Sequence, residues 1–314
     1  MSTRHYEHLV DFVKDQNHEH NYWGAYGDDF VRDLCYLLVY RMITGAGVDK
    51  LEHTVRFDPE HKLNHGTILH NLDIIFPLAV KWGLSKIVTG TEADWNLAVH
   101  GEHFPHPFEA VNLWMDSSDF PMMDTEENKD WYSHKLKGIG IRVQFITDGR
   151  SFIRFIKGPL EPKQFDGFFL ELFHHEIETN FADAHLIADN HYLIGTTLFL
   201  HGPTFYVNAR ESSADKAVGD DEEIEVHLPH KRRKKSIDVS TLTPAQKEMA
   251  RNKLLQNQDH SHVRGRIEAV FSHMKMKFKI LSERHVRAAG DLYGFVVIAS
   301  AINNMIIQFN SALP

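Results

Sequence analysis

Cysteine is nearly absent from this chain. The single residue, Cys35, excludes an internal disulfide and any zinc site built on thiolates. It sits in the apolar run LCYLLVY, which fits a buried structural thiol and not a nucleophile. No apolar run approaches the roughly 18 residues of a membrane span. The opening segment, MSTRHYEHLVDFVKDQ, has neither an apolar signal core nor an Arg-rich transit pattern. The expectation is therefore a protein that is not secreted and has no membrane partner. No phosphate-cradling or dinucleotide glycine pattern occurs, since GAG (45–47) and GIG (138–140) lack the spacing that must follow. No Gly-x-Ser-x-Gly segment is present, so a serine hydrolase is not supported. Basic charge is also scarce: the formal net charge is −9, which argues against indiscriminate nucleic-acid binding while leaving room for a local basic surface.

Histidine is abundant, with 23 in the chain. The close pairs His18/His20, His100/His103 and His174/His175 invite a zinc reading. None forms the His-Glu-x-x-His pattern, and they read as surface or loop histidines. The 314 residues, 42% hydrophobic, suffice for one large domain or two.

Along the chain, residues 1 to about 30 are polar and aromatic, and HEHNYWGAYGDD reads as loop. Phe30 to Thr44 has helical spacing in Leu34, Leu37, Leu38, Arg41 and Met42, stopped by Gly45-Ala46-Gly47. A short helix follows from Val48 to about Arg56. After Asp58-Pro59, Asn64 offers an N-cap for a helix from Gly66 to about Trp82. Three helices with short joints fit either a helix-turn-helix module or a plain helical bundle. Acidic Glu52 and Asp73, with little arginine on the third helix, weigh against DNA. Gly83 to about Pro107 reads as a connector.

From Ala110 the pattern becomes strand-like. AVNLWMD (110–116) is an apolar run ending in an aspartate. GIGIRVQFITDG (138–149) and SFIRFIKG (151–158) alternate around Asp148-Gly149, a hairpin signal. Phe165 to Phe181 has helical spacing, with Phe168, Phe169, Leu172, Phe173 and Ile177 on one side. AHLIADN (184–190) is a second apolar run with an aspartate at its end, and PTFYVNA (203–209) is a further strand. This order predicts a mixed α/β sheet. Residues from about 211 to 260 read as a charged insertion, with DDEEIE (220–225) followed by HKRRKK (230–235). Lys231, Arg232 and Arg233 in that run fit a nuclear address, a phosphate contact or a merely solvated loop. Thr243-Pro244 opens a helix with proline at its first position. Arg284 to about Asn310 reads as a long apolar terminal helix packed on the sheet.

Ser261 to Leu281 is amphipathic at helical spacing, with Ile267, Val270, Phe271, Met274 and Phe278 on the apolar stripe. Arg264, Glu268 and Lys275 share another face, which by itself could be an ordinary salt-bridged surface. Two aspartates at strand ends, Asp116 and Asp189, change its meaning, because strand ends are where open α/β sheets build sites. With Glu268 they offer hard oxygen ligands of the kind Mg²⁺ or Mn²⁺ takes. Two such ions about 3.5–4 Å apart serve in-line phosphodiester displacement.

On five segments the chain resembles the DDE transposases, in particular the branch grouping PIF/Harbinger elements with related bacterial insertion sequences. MDSSDF (115–120) is similar to the family's first-aspartate segment, usually Asp-Gly-Thr, from which Ser117-Ser118 departs. YSHKLKG (132–138) resembles a Tyr-x-x-Lys-x-x-Gly stretch. KGPLEPKQFDG (157–167) resembles Pro-Gly-Ser-x-His-Asp, with Gln164 and Phe165 replacing parts and Asp166 retained. IADNHY (187–192) is similar to Ala-Asp-Ser-Gly-Tyr, and RGRIEAVFSHMK (264–275) fits Arg-x3-Glu-x6-Lys. Ser261 stands where some bacterial relatives have a tyrosine. The resemblance covers roughly residues 110 to 282.

The resemblance implies an RNase H-like mixed sheet flanked by helices over residues 101–314, after an all-helical, helix-turn-helix-like module over 1–100. It implies a metal-dependent endonuclease and strand transferase that cuts transposon ends. Asp116, Asp189 and Glu268 would hold two Mg²⁺ or Mn²⁺ ions, with Asp119 the competitor for the first place. Arg264, Arg266 and Lys275, with Lys231, Arg232 and Arg233, would contact DNA phosphate. The implied partners are double-stranded transposon ends and target DNA, a second copy of the chain, and a second element-encoded DNA-binding protein. The compartment would be the nucleus in a eukaryote and otherwise the cytoplasm. The alternative is a domesticated relative that binds DNA or protein without cutting.

Overall fold

A computed structural model of the chain describes residues 4–24, 27–54, 65–199, 202–209, 242–284 and 286–311. The expected cap Asn64 and the basic residues Lys231, Arg232 and Arg233 lie outside them. The chain divides into two compact units, one of residues 1–90, 117–165 and 269–314, the other of 91–116 and 166–268. The division passes through one strand, β1 (Leu113–Pro121), and one helix, α8 (Pro244–Lys277).

The first unit begins with helices α1 (Arg4–His20), α2 (Asp28–Thr44), α3 (Val48–Thr54) and α4 (His65–Lys86). Helix α1 fills a stretch read only as polar and aromatic, and it overlaps the expected loop HEHNYWGAYGDD only at His18 to His20. Its mean composition is polar, but Tyr6, Leu9, Val10 and Val13 recur at helical spacing and are all buried. Cys35 in α2 is fully buried, and burial pushes its thiol up to about 12, so it is inert at neutral pH. The joint between α3 and α4 falls outside the described residues.

In the same unit, the C-terminal half of β1 lies beside β3 (Gly138–Asp148), which pairs antiparallel with β2 (Tyr132–Ser133) and β4 (Ile153–Leu160). The Asp148-Gly149 hairpin forms as expected. Asp148 Oδ1 accepts from the backbone N–H groups of Arg150 and Phe152 (2.9 and 3.0 Å), and Oδ2 pairs with Arg154 at 2.8 Å. The terminal helix α9 (Ala289–Ser311) packs on α4 and on the β3–β4 hairpin. Two glycines allow that approach. A Cβ at Gly83 would stand 2.9 Å from Val297, and one at Gly294 would stand 2.6 Å from the Phe76 ring. Asn304 on α9 completes the start of β4, exchanging two 2.8 Å hydrogen bonds with the backbone of Ile153. Contrary to expectation, α9 is long and apolar enough to cross a membrane. However, 72% of its most apolar stretch is buried inside the protein, as in a core helix.

The second unit contains α5 (Glu92–Ala98), the N-terminal half of β1, α6 (Gly167–Asn180), β5 (His185–Ala188), α7 (Leu193–Thr196), β6 (Thr204–Val207) and α8 up to Glu268. Helix α5 interrupts the expected connector; Thr91 and Asp94 close a reciprocal capping box at its start. Strands β1, β5 and β6 are parallel neighbours. Along α6, Phe169 and Ile177 are buried as expected, but Leu172 is 49% exposed.

Helix α8 merges two expected pieces, so the stretch from Pro244 to His260 is helix and not part of an irregular insertion. Pro244 occupies its first position. Thr243 and Gln246 form a second reciprocal cap, Thr243 Oγ1 accepting from Gln246 N at 3.2 Å and Gln246 Oε1 from Thr243 N at 2.8 Å. Every residue of its expected apolar stripe, Ile267 through Phe278, is buried. The strands thus form a mixed sheet with helices flanking it, which is the α/β arrangement the sequence implied.

Candidate active site

Asp116 lies inside β1 and not at its end, because the strand continues through Ser117, Ser118 and Asp119 to Pro121. Asp189 follows β5 directly, with extended backbone (φ −69°, ψ 160°). Leu113 pairs with Leu186 and Trp114 with Ile187. Continued for two residues, that parallel register sets Asp116 beside Asp189, on strands about 4.8 Å apart. Side chains two residues apart share a face of a strand. Trp114 donates its indole N–H to the Val263 carbonyl of α8 at 2.6 Å, so Asp116 faces α8 as well.

The α8 surface facing these strands carries His260, Arg264 and Glu268, one turn apart each. His260 is buried, and its Nε2 lies 2.9 Å from the Ala188 carbonyl and 3.3 Å from that of Tyr206. Both partners are acceptors, so Nε2 carries the proton; burial lowers the pKa of the ring and keeps it neutral. It ties α8 to the ends of β5 and β6, one residue before Asp189. It stands outside the pairs His18/His20, His100/His103 and His174/His175. The signal was its spacing of four from Arg264 and eight from Glu268.

Arg264 reaches Asp116 Oδ2 with one terminal nitrogen (2.8 Å) and Glu268 Oε1 with the other (2.6 Å). Burial opposes its charge, but Asp116, Glu268 and then Asp189 outweigh that and raise its pKa. All three carboxylates therefore act on one cation. Among the described residues, no group of three His, Cys, Asp or Glu side chains gathers closely enough to hold a metal ion; the guanidinium fork takes that place. In chemistry alone, the donor set is of the kind a hard divalent cation takes: carboxylate oxygens only.

Asp119 is differently occupied. It is 1% exposed and takes a two-pronged ion pair from Arg142 (2.7 and 3.1 Å) and a 2.6 Å hydrogen bond from Ser133. Its oxygens serve the core, which leaves Asp116 as the better placed of the two aspartates. Lys275 turns inward to the same strand. Its Nζ donates to Ser118 Oγ at 2.9 Å and to the Asp119 carbonyl at 2.8 Å, and it lies 4.7 Å from the centre of the Phe120 ring. Arg266 is likewise engaged, against the rings of Phe104 and Trp114 and in a 2.7 Å pair with Glu102. Of the described basic residues expected at phosphate, Arg264 is the one that meets Asp116 and Glu268 within this unit. Asp166 stands at the start of α6, 3.8 Å from His191.

Two expected results follow from these contacts. Trp114→Phe removes the indole donor while keeping the aromatic packing, and it should lower unfolding free energy by about 1 kcal/mol in urea melts. An unchanged midpoint would mean that this bond contributes nothing. For Lys275, burial, with Lys135 adding to it and Asp119 opposing, pushes the ammonium down to about 8 from 10.5. Between those values the unfolded chain binds more protons, so stability rises with pH there, by up to about 3 kcal/mol. Below pH 8 the burial penalty is present in full. Lys275→Met should remove this rise between pH 8 and 10 relative to wild type. Parallel slopes in the two proteins would exclude a depressed lysine.

Residues 115–304, more than half of the chain, match the DDE superfamily endonuclease family, and the match takes in Asp116, Asp189 and Glu268. The chain belongs to that family. Among solved structures it is similar to a piggyBac transposase in a synaptic complex with hairpin DNA. The identity is 12% and the TM-score 0.45, over 99% of this chain and 73% of that one. A search of curated proteins finds no significant match.

Proposed function

We propose that the chain is a transposase-like endonuclease that hydrolyses phosphodiester bonds in double-stranded DNA and then joins the freed 3′-hydroxyl to a phosphate of target DNA, displacing the 3′-oxygen of the target strand. The observation that carries this reading is the in-register placement of Asp116 and Asp189 on adjacent parallel strands, under the α8 face that bears Glu268. Family membership supports the endonuclease class; the substrate, transposon ends of a PIF/Harbinger-like element, rests on the sequence resemblance. Asp116, Asp189 and Glu268 would hold Mg²⁺ or Mn²⁺, in one or two ions, which when bound supply an activated water and stabilise the leaving oxygen. Around them, Trp114 and His260 fix α8 against β1 and β5, and Arg264 provides a fork suited to a phosphate. A homo-oligomer, a second element-encoded DNA-binding protein and a nuclear location in a eukaryotic host belong to the same proposal.

A second reading has one observation in its favour. Arg264 neutralises part of the acidic set, as it would in a descendant that binds DNA or protein without cutting. Calorimetry with Mg²⁺ and Mn²⁺ on wild type, Asp116→Ala and Asp189→Ala separates the two. Cleavage predicts divalent binding in the wild type that is lost in both variants. Binding that is the same in all three proteins would remove the carboxylates from any metal site and favour the non-cleaving reading.

A further inference from the structure

Three carboxylates, from β1, the end of β5 and α8, act on one guanidinium, Arg264, and the guanidinium is held unequally. Its Asp116 contact is sheltered, with side-chain exposures of 18% and 12%, whereas Glu268 is 58% exposed. An exposed pair four residues apart on a helix is weak, while a sheltered, charge-assisted pair is considerably stronger. Glu268 can therefore exchange Arg264 for another cation at little loss, and Asp116 can do so only in favour of a stronger one. A divalent ion attracted by three carboxylates is a stronger one.

We propose that Arg264 is a built-in counter-ion of the acidic site, competing with divalent cations for Asp116 and Glu268 and thereby weakening metal affinity. This rests on the reading of Asp116, Asp189 and Glu268 as metal ligands and adds a regulatory role for a residue of the same site. The arginine keeps mutually repelling carboxylates together on strand and helix before a metal arrives. When a divalent cation takes their oxygens, its two terminal nitrogens lose both partners and face the nucleic-acid phosphate. Metal binding and phosphate binding are then linked: an anion that engages Arg264 relieves the competition, so DNA should tighten metal binding.

The test is Mn²⁺ calorimetry on the full chain carrying Arg264→Gln, which keeps a polar side chain but removes charge, and Arg264→Lys, which keeps charge. Arg264→Gln should lower the dissociation constant for Mn²⁺ at least about tenfold by removing the competing charge, and Arg264→Lys should stay within about threefold of wild type. Unchanged or weaker binding in Arg264→Gln, with wild-type binding that depends on Asp116 and Asp189, would overturn the counter-ion role alone. Absence of binding in wild type and every variant would instead overturn the metal-site reading beneath it. Should Arg264→Gln fail to fold, ¹⁵N-arginine spectra of the wild type give a second readout. The Arg264 Nε signal should shift as Mg²⁺ is added; a signal unmoved while Mg²⁺ binds would refute the proposal.

Discussion

Glu268→Ala is expected to leave the fold intact and to reduce divalent-dependent DNA cleavage by at least about a thousandfold, equivalent to about 4 kcal/mol in the barrier. The structural half of this expectation follows from exposure. The Glu268 side chain is 58% exposed, and its hydrogen bond goes to Arg264 four residues earlier. Such a pair contributes only about 0.3–0.5 kcal/mol, and alanine suits the middle of a helix better than glutamate does. The chemical half follows from the proposal that Glu268 supplies one of three oxygen donors. A ligand lost from a divalent site disturbs both the position of the ion and the water it activates. Thermal melts and single-turnover cleavage of labelled duplex DNA check the two halves separately. Cleavage within a few-fold of wild type would take Glu268 out of the site.

Arg142→Ala is expected to destabilise the protein by about 3–5 kcal/mol without touching the acidic site. Asp119 is buried in the middle of β1, and its carboxylate is held by both prongs of the Arg142 fork and by Ser133. Removing the guanidinium leaves an uncompensated charge in a site that is 1% exposed. Burying a lone carboxylate is costly enough that it must either be protonated or drag water into the core. The double variant Asp119→Leu/Arg142→Met, which removes both charges, should recover a large part of the loss, because the pair repays its own desolvation only in part. Urea denaturation of the single and double variants measures this. A loss under about 1 kcal/mol in Arg142→Ala would show that water or another cation takes the place of the guanidinium.

Much of the architecture was legible from local pattern. The strand-length runs GIGIRVQFITDG and SFIRFIKG around Asp148-Gly149 specified a hairpin, because a turn dipeptide between two such runs folds the chain back on itself. The apolar stripe from Ile267 to Phe278 specified which side of α8 goes inward. Asp189, expected at the end of its apolar run, directly follows β5. Two failures have a common cause. Helix α1 is polar on average, and only its spacing betrays it. Strand β1 continues through Ser117, Ser118 and Asp119, a polar run beyond the expected end of the strand at Asp116. All three are nevertheless buried, and Lys275, Arg142 and Ser133 satisfy Ser118 and Asp119 from other segments.

The same limit applies to the site. Sequence alone determined the inventory of groups: two aspartates following apolar runs, and an arginine, a glutamate and a lysine on one helix. It also set the expectation for the chemistry, since carboxylate oxygens suit hard divalent ions and cationic side chains suit phosphate. Only the tertiary structure decided the partners. Arg264 meets Asp116 across 148 positions of sequence, Lys275 turns inward to Ser118 and Asp119, and Arg266 lies against Phe104 and Trp114. The physical reason is that a long cationic side chain has no preferred partner of its own. Its attraction to any carboxylate is similar in water, and burial of the surrounding strands settles which one it meets at low dielectric.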